Sequence, residues 1–249
     1  MNKFFTIVTI CFNSEKTIRK TIESIISQDK SLFEYIIIDG GSKDGTTSII
    51  KEYIHHIDLF ITEPDKGISD AFNKGIRHSS GQYIWFINSD DVLESSALNN
   101  IYFHIANNKI FGGDVFYADI YYLYPGIGKY KAIANLSGIW DSMTIFHPSL
   151  FVRSEILNSV GAFSLDYRYA MDCELIHRLI KFKAKFIYIP YAPSTMLVGG
   201  ISGQHYVRAC LEFFKSSITH NKPTFSLLHS TVLLIFKKFI LQTLRKLKW

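Results

Sequence analysis

The sequence predicts an α/β fold: a mostly parallel central sheet with helices on both faces, followed by a C-terminal helical segment. Three observations carry this reading. Strand-like and helix-like apolar patterns alternate four times over residues 4–91, the strand-like runs are apolar almost throughout, and acidic residues recur just past their ends. Short apolar runs without polar alternation suit strands covered by helices on each side, as in a parallel sheet. Repeated strand–helix alternation is the pattern of a doubly wound α/β domain.

The elements follow in order. Residues 4–11 are a β-branched and aromatic run, closed by a turn at Asn13-Ser14-Glu15. Ile18, Ile22, Ile25 and Ile26 then recur at helical spacing. Residues 35–38 form the second strand, ending in Asp39-Gly40-Gly41-Ser42, and Ile49, Ile50, Tyr53 and Ile54 mark the next helix. A third strand over 59–62 precedes a helix over 68–78, and a fourth strand over 83–87 runs into Asn88-Ser89-Asp90-Asp91. Further on, residues 116–123 and 129–133 predict an antiparallel hairpin around Pro125-Gly126, 175–182 a helix and 186–189 a strand.

Composition narrows the class. The chain has 249 residues, 47% of them hydrophobic, enough for a full core and against disorder. Its formal charge of +5 gathers partly at the C-terminal end, in Lys237, Lys238, Arg245, Lys246 and Lys248. No basic-aromatic motif supports nucleic-acid binding. Cys11, Cys173 and Cys210 form no CxxC pair and read as reduced thiols. The N-terminus lacks the long apolar run of a secretory signal, so a cytoplasmic placement is expected.

Ligands of open α/β sheets bind at the carboxyl ends of the strands, where Asp39, Asp65, Asp90 and Asp91 fall. Adjacent carboxylates such as Asp90 and Asp91 repel unless a cation or helix terminus compensates them. They suit Mg²⁺ or Mn²⁺, which takes one or two carboxylates and fills its shell with water and phosphate oxygens. The competing reading is that Ser89 or Asp90 caps a helix starting near Val92. The glycines after Asp39 let backbone approach a ligand, and Asp39 can accept hydrogen bonds from a base or ribose. Ser42 or Asp44 capping a helix after a plain glycine turn is the alternative there. The spacing is neither GxGxxG nor a Walker A loop.

Four ordered blocks resemble the inverting glycosyltransferases of family 2, with the GT-A fold. They are Thr9-Ile-Cys11-Phe-Asn13-Ser-Glu15, Ile37-Ile-Asp39-Gly-Gly41-Ser-Lys-Asp-Gly-Thr46, Glu63-Pro-Asp65-Lys66-Gly67 through Asn73-Lys-Gly75, and Gly81-Gln-Tyr-Ile-Trp-Phe-Ile-Asn88-Ser89-Asp90-Asp91. The third resembles the branch that builds colanic acid, capsule and O-antigen chains. This resemblance implies a nucleotide pocket of Thr9, Cys11, Asn13, Glu15, Asp39, Gly41, Asp65, Lys66, Asn73, Asn88, Ser89 and Asp90, with Asp39 on the base. It implies a metal site at Asp90 and Asp91 for Mn²⁺ or Mg²⁺. Asn88 stands where relatives often carry the first Asp.

The segment Tyr169-Ala-Met171-Asp172-Cys-Glu174 resembles the family's Glu-Asp block, with Met171 in place of Glu. Asp172 then aligns with the general base and Glu174 competes with it; the plainer reading is that Asp172 caps a helix beginning near Cys173. His147, Ser202 and His205 resemble acceptor or donor contacts, against a structural histidine and a glycine hinge at Gly199-Gly200.

The implied organisation is a GT-A catalytic domain over 1–221, with 1–100 as the nucleotide-sugar half and 101–221 as the acceptor half. Residues 222–249 form a basic amphipathic helix ending in Trp249. Its apolar stretch is too short to span a bilayer. It suits the surface of an anionic membrane, or packing on the catalytic domain or a homodimer partner. The implied reaction moves a sugar, with inversion, from a nucleotide-diphosphate donor (a UDP-sugar first) to a lipid-linked or oligosaccharide acceptor. A nucleotidyltransferase and a non-catalytic carbohydrate-binding relative are the rivals.

Overall fold

Every residue from Phe5 to Cys11 is buried, which a strand achieves only when both faces of its sheet are covered. The computed structural model describes residues 3–200, 205–220 and 232. In chain order the elements are β1 (Phe5–Cys11), α1 (Ile18–Ile26), β2 (Phe33–Asp39), α2 (Thr46–Glu52), β3 (Leu59–Thr62), α3 (Ile68–His78), β4 (Tyr83–Phe86), β5 (Val92–Leu93) and α4 (Ala97–Asn107). They continue with β6 (Val115–Ala118), β7 (Ile120–Tyr124), β8 (Gly128–Ala132), β9 (Leu150–Arg153), α5 (Ser154–Ser159), α6 (Met171–Lys181), β10 (Phe186–Ile189), β11 (Ser194–Leu197) and α7 (Tyr206–His220).

Seven strands form the main sheet in the order β10-β6-β9-β4-β1-β2-β3. All pairs are parallel except those of β9, which runs antiparallel to β4 and to β6. Alternate residues of each strand feed two separate cores. Phe5, Ile7, Tyr35 and Trp85 pack with Ile18, Ile22 and Ile25 of α1, Ile50 of α2 and Leu98 and Ile101 of α4. Val8, Ile10, Ile36 and Phe86 pack with Phe72 and Ile76 of α3, Leu157 of α5 and Leu175 of α6. The result is helix, sheet, helix. On α3 the approach is so close that a Cβ at Gly75 would run into the side chain of Val8, which is why that position carries no side chain.

A second, four-stranded sheet, β5-β11-β7-β8, stands beside the first. Two expectations change here. Val92 and Leu93 form a strand, and the helix begins only at Ala97, so neither Ser89 nor Asp90 caps a helix. The run 116–123 is two strands in different sheets, because buried Asp119 interrupts it. Its carboxylate accepts from the Ala134 N–H (3.0 Å) and the Tyr188 hydroxyl (2.7 Å) and pairs with Lys131 (2.8 Å). The hairpin itself is present as β7 and β8, with Tyr122 opposite Tyr130.

Among the described residues, no helix is long and apolar enough to cross a membrane. The C-terminal segment over 222–249, and Ser202, lie outside the described residues apart from residue 232.

Candidate functional site

The carboxyl ends of β1, β2, β3 and β4 meet along one edge of the main sheet, and the loops leaving them are laced together. The Asn13 N–H donates to Ser42 Oγ (2.8 Å), and Asn13 Oδ1 accepts from the Lys43 N–H (2.9 Å). Glu15 accepts from the Gly45 N–H (2.8 Å), and the Ser14 N–H donates to Thr46 Oγ1 (2.7 Å). Asn13 reaches this position in the left-handed region, at φ 51°, which an Asn tolerates better than most residues. Ser14 Oγ also lies 2.8 Å from Ser89 Oγ, tying the β1 loop to the β4 loop.

Asp39, 0% exposed, is the hub of this edge. One oxygen accepts from the Gly41 N–H (3.2 Å), the Ser42 N–H (3.0 Å) and the Thr62 hydroxyl (2.6 Å). The other accepts from the Ser42 hydroxyl (2.5 Å) and the Cys11 thiol (3.6 Å). Gly41 sits at φ +83°, a conformation that favours glycine and lets the loop fold back onto the carboxylate. Burial, then the Asp39 charge, pushes the Cys11 thiol far up, so it remains a neutral donor. The β3 loop closes the next side: Asp65 accepts from the Gly67 N–H (2.8 Å), the Lys66 N–H donates to Asp70 (3.0 Å), and Lys74 bonds the Pro64 carbonyl (2.9 Å). A Cβ at Gly40 would collide with Asp65, so the β2 and β3 loops touch.

The tip of β4 has the opposite character. Asp91 is 1% exposed, and neither of its carboxylate oxygens has a hydrogen-bond partner among the described residues. Asn88 Oδ1 is orphaned in the same way. Burial first and the neighbouring Asp90 second raise the Asp91 carboxyl well above the usual range; the amides of Asn88 and Leu197, close to it but outside hydrogen-bond geometry, offset this only in part. Burial raises Asp90 as well. The backbone is pinned: the Thr21 hydroxyl of α1 donates to the Asp91 carbonyl (2.7 Å), and the Asp91 N–H donates to the Asn88 carbonyl (3.0 Å). Gly200 lies beside Asp90, its Cβ direction 3.7 Å from Asp90 Oδ2.

The two buried oxygens of Asp91 and the amide oxygen of Asn88, all without partners, with Asp90 beside them, are groups suited to a divalent cation and the polar end of a donor. Among the described residues no group of three or more His, Cys, Asp and Glu is gathered for a metal. Asp90 and Asp91 would therefore hold a cation whose remaining positions come from phosphate oxygens and water.

The small sheet brings the second half of the chain to this point. Thr195 of β11 faces Val92, and the next residue, Met196, faces Tyr122 of β7. Continuing that register sets Asp91, Met196, Tyr122 and Tyr130 in one row across the sheet. The Tyr122 phenol is pushed up to about 12 by burial first, then by Tyr124, Asp172 and Asp91, so it stays a neutral hydroxyl near both carboxylates. Asp172 lies in the first turn of α6, which begins at Met171, one residue before Asp172, so Asp172 does not cap it. Its carboxyl is raised to about 6 by burial, against the Cys173 N–H (2.8 Å) that lowers it.

Three expected site residues have hydrogen-bond or ion-pair partners within the fold, and a fourth, His147, is buried with its Nε2 unpartnered. Thr9 is buried within the sheet, its Oγ1 accepting from the Tyr35 hydroxyl (3.2 Å). The Asn73 amide is spent on Phe163, donating to its carbonyl (2.8 Å) and accepting from its N–H (2.9 Å). Glu174 is buried against Arg178 (2.7 Å) and His220 (3.1 Å). His147 is packed among Phe72, Phe86 and Phe163, and burial lowers it to about 4, so it is neutral at pH 7. His205 precedes α7, its ring 4.9 Å from that of Tyr169. The sequence pattern did not single out Ser14, Thr62 and Tyr122; of these only Ser14, inside the first block, carried a local signal.

The chain is 33% identical over 99 residues to the glycosyltransferase GlyA of Streptococcus pneumoniae serotype 4, covering 39% of this chain and 14% of that protein. It is 26% identical over 183 residues to the uncharacterized glycosyltransferase Rv1514c of Mycobacterium tuberculosis, covering 70% of this chain and 67% of the relative. The fold matches that of TarS 1-349 from S. aureus in complex with UDP-GlcNAc at a TM-score of 0.68 and 18% identity, over 92% of this chain and 69% of that one. It matches the mannosyltransferase PcManGT of Pyrobaculum calidifontis, in complex with GDP-Man and Mn²⁺, at 0.68 and 17%, with the same coverage. Residues 6–156 match glycosyl transferase family 2, which is more than half of the chain and spans β1 through α5: the chain belongs to that family.

Proposed function

We propose that this chain transfers a sugar, with inversion, from a nucleotide-diphosphate donor to a glycan or lipid-linked acceptor in bacterial surface polysaccharide synthesis. Asp90 and Asp91 would hold Mn²⁺ or Mg²⁺, and Asp172 acts as the general base. The observation that carries the reading is the pair of buried, unpartnered Asp91 oxygens in the loop that follows the parallel strand β4. A divalent cation bound there would supply charge neutralisation for the leaving diphosphate. The protein's own part begins with the laced loops of β1, β2 and β3, which set the walls of a nucleotide pocket around Asn13, Glu15, Gly41 and Asp65. Asp39 shapes that pocket from beneath, and contact with a base would exchange one of its present bonds. Asn88 offers its free Oδ1 to a ribose hydroxyl or a phosphate-bound water.

Asp172, raised to about 6, is ionised at neutral pH yet basic enough to accept a proton from an acceptor hydroxyl as that oxygen attacks the anomeric carbon. A base must be unprotonated, so the rate should fall as pH drops through about 6. UDP is the first choice of nucleotide because TarS carries UDP-GlcNAc in a matching fold; GDP-Man in PcManGT makes GDP the next. The basic stretch over 222–249 is the candidate for contact with an anionic membrane or a homodimer partner.

The test is calorimetric titration of a UDP, GDP and dTDP panel with Mn²⁺, paired with release of the nucleotide from the matching sugar donor. Mn²⁺-dependent UDP binding abolished by Asp91→Ala is expected. Metal-independent binding would overturn the site, and release of pyrophosphate from a nucleoside triphosphate would favour a nucleotidyltransferase.

A further inference from the structure

The helix α6 that carries Asp172 has no side-chain cap of its own; its N-cap is Ala170. The function is supplied from 42 residues beyond that N-cap. One carboxylate oxygen of Glu212, on α7, accepts three successive backbone N–H groups: Arg168 (2.9 Å), Tyr169 (2.7 Å) and Ala170 (2.9 Å). Three consecutive N–H groups turned on one anion form a concave binding nest, and an anion at a helix N-terminus is favoured by the helix dipole. The residue after this nest is Met171, and the next is Asp172.

The rest of α7 is fastened along α6 on the same side. His177 Nδ1 lies 2.8 Å from Ser216 Oγ, His220 pairs with Glu174 (3.1 Å), and the Lys215 ammonium sits 4.7 Å over the Tyr167 ring. His177 is stacked on Trp140 at 4.1 Å between ring centres, which fixes the far end of the contact. We propose that Glu212 is a positioning residue for Asp172: its carboxylate fixes the loop from which α6 and the general base emerge. This rests on Asp172 being the base.

Geometry of this kind governs rate more than affinity, because a shift of about 1 Å in a reacting group can cost on the order of 100-fold. The titratable groups acting on Asp172 are Cys173 beside it on its own helix, Glu212 from α7 and Tyr122 from β7. Loss of the Glu212 charge therefore has a second signature. Asp172 becomes less basic, and its titration moves to lower pH.

The experiment uses the full chain with Glu212→Gln, which keeps size and an accepting oxygen, Glu212→Asp, which keeps the charge, and Asp172→Asn, which assigns the signal. Carboxyl-carbon NMR of labelled aspartates follows Asp172 from pH 4 to 8, and amide exchange follows residues 168–170. UDP release from UDP-N-acetylglucosamine with Mn²⁺ and UDP affinity by calorimetry give the kinetic arm. Glu212→Gln is expected to move the Asp172 midpoint downward, speed exchange at 168–170 about tenfold, and slow UDP release about tenfold. UDP affinity should stay within about twofold, and Glu212→Asp should restore part of each effect. An unmoved midpoint with unchanged exchange overturns the inference. So does a loss of UDP affinity equal to the loss of rate, which would make Glu212 a general prop. If Asp172→Asn keeps the full rate while the NMR arms respond to Glu212→Gln, the base assignment fails and the contact stands as structural only.

Discussion

Asp39 ends β2 and Asp91 lies in the loop after β4, two strands that flank β1, and both are buried, yet they are opposites. Asp39 accepts from Gly41, Ser42 (twice), Thr62 and Cys11, while Asp91 accepts from nothing among the described residues. A saturated carboxylate builds structure; an unsatisfied one costs stability and persists where something else is to be bound. The contrast separates the part of this edge that shapes a pocket from the part that fills it.

The largest expected effect tests the hub. Asp39→Asn turns an amide toward backbone N–H donors and should cost about 3 kcal/mol of stability, read as a lower urea midpoint at unchanged slope. Asp91→Asn should do the reverse and gain about 1 kcal/mol in the ligand-free protein, since it removes a buried charge without partners. The sign has a pH signature. The folded-state value of Asp91 is raised, so its favourable contribution is present below its unfolded value of about 3.9 and lost as pH rises. The advantage of Asp91→Asn should therefore widen from pH 4 to pH 7, in paired melting curves. In the same assay, Mn²⁺ with UDP should raise the melting temperature of the wild type and leave the variant unmoved.

Smaller effects sharpen the comparison. Thr62→Val removes one donor from Asp39 and should cost about 1 kcal/mol without touching the Asp91 end. Tyr35→Phe leaves Thr9 without its buried donor and should cost about 1 kcal/mol or less, with UDP affinity unchanged, as calorimetry would show. A loss of UDP binding there would return Thr9 to the nucleotide pocket.

The sequence spelled out the first half of the fold because each element ends at a turn signal. Leu59–Thr62, Ile68–His78 and Phe186–Ile189 have the bounds their patterns predict. The split at Asp119 was hidden, because an acidic residue among aromatics gives no hint of partners at Ala134 and Tyr188. The acidic residues at strand ends were legible from position alone, but their states of satisfaction were not. Thr9 and Asn73 belong to two of the blocks that resemble the family, yet their side chains answer to Tyr35 and Phe163, at sequence distances of 26 and 90. Glu212 sits in an ordinary amphipathic helix, and only tertiary contact gives it a task.

The hydroxyl of Thr21 bears on how the acidic turn could accept a ligand. It grips the Asp91 carbonyl from the neighbouring helix, while the side chain on the same residue has no partner. The turn cannot relieve its electrostatic discomfort by swinging the main chain outward, so the tension stays where it arises. Capture of a positive guest would then need no rearrangement of the main chain, and the ease of loading would depend on how firmly α1 is seated.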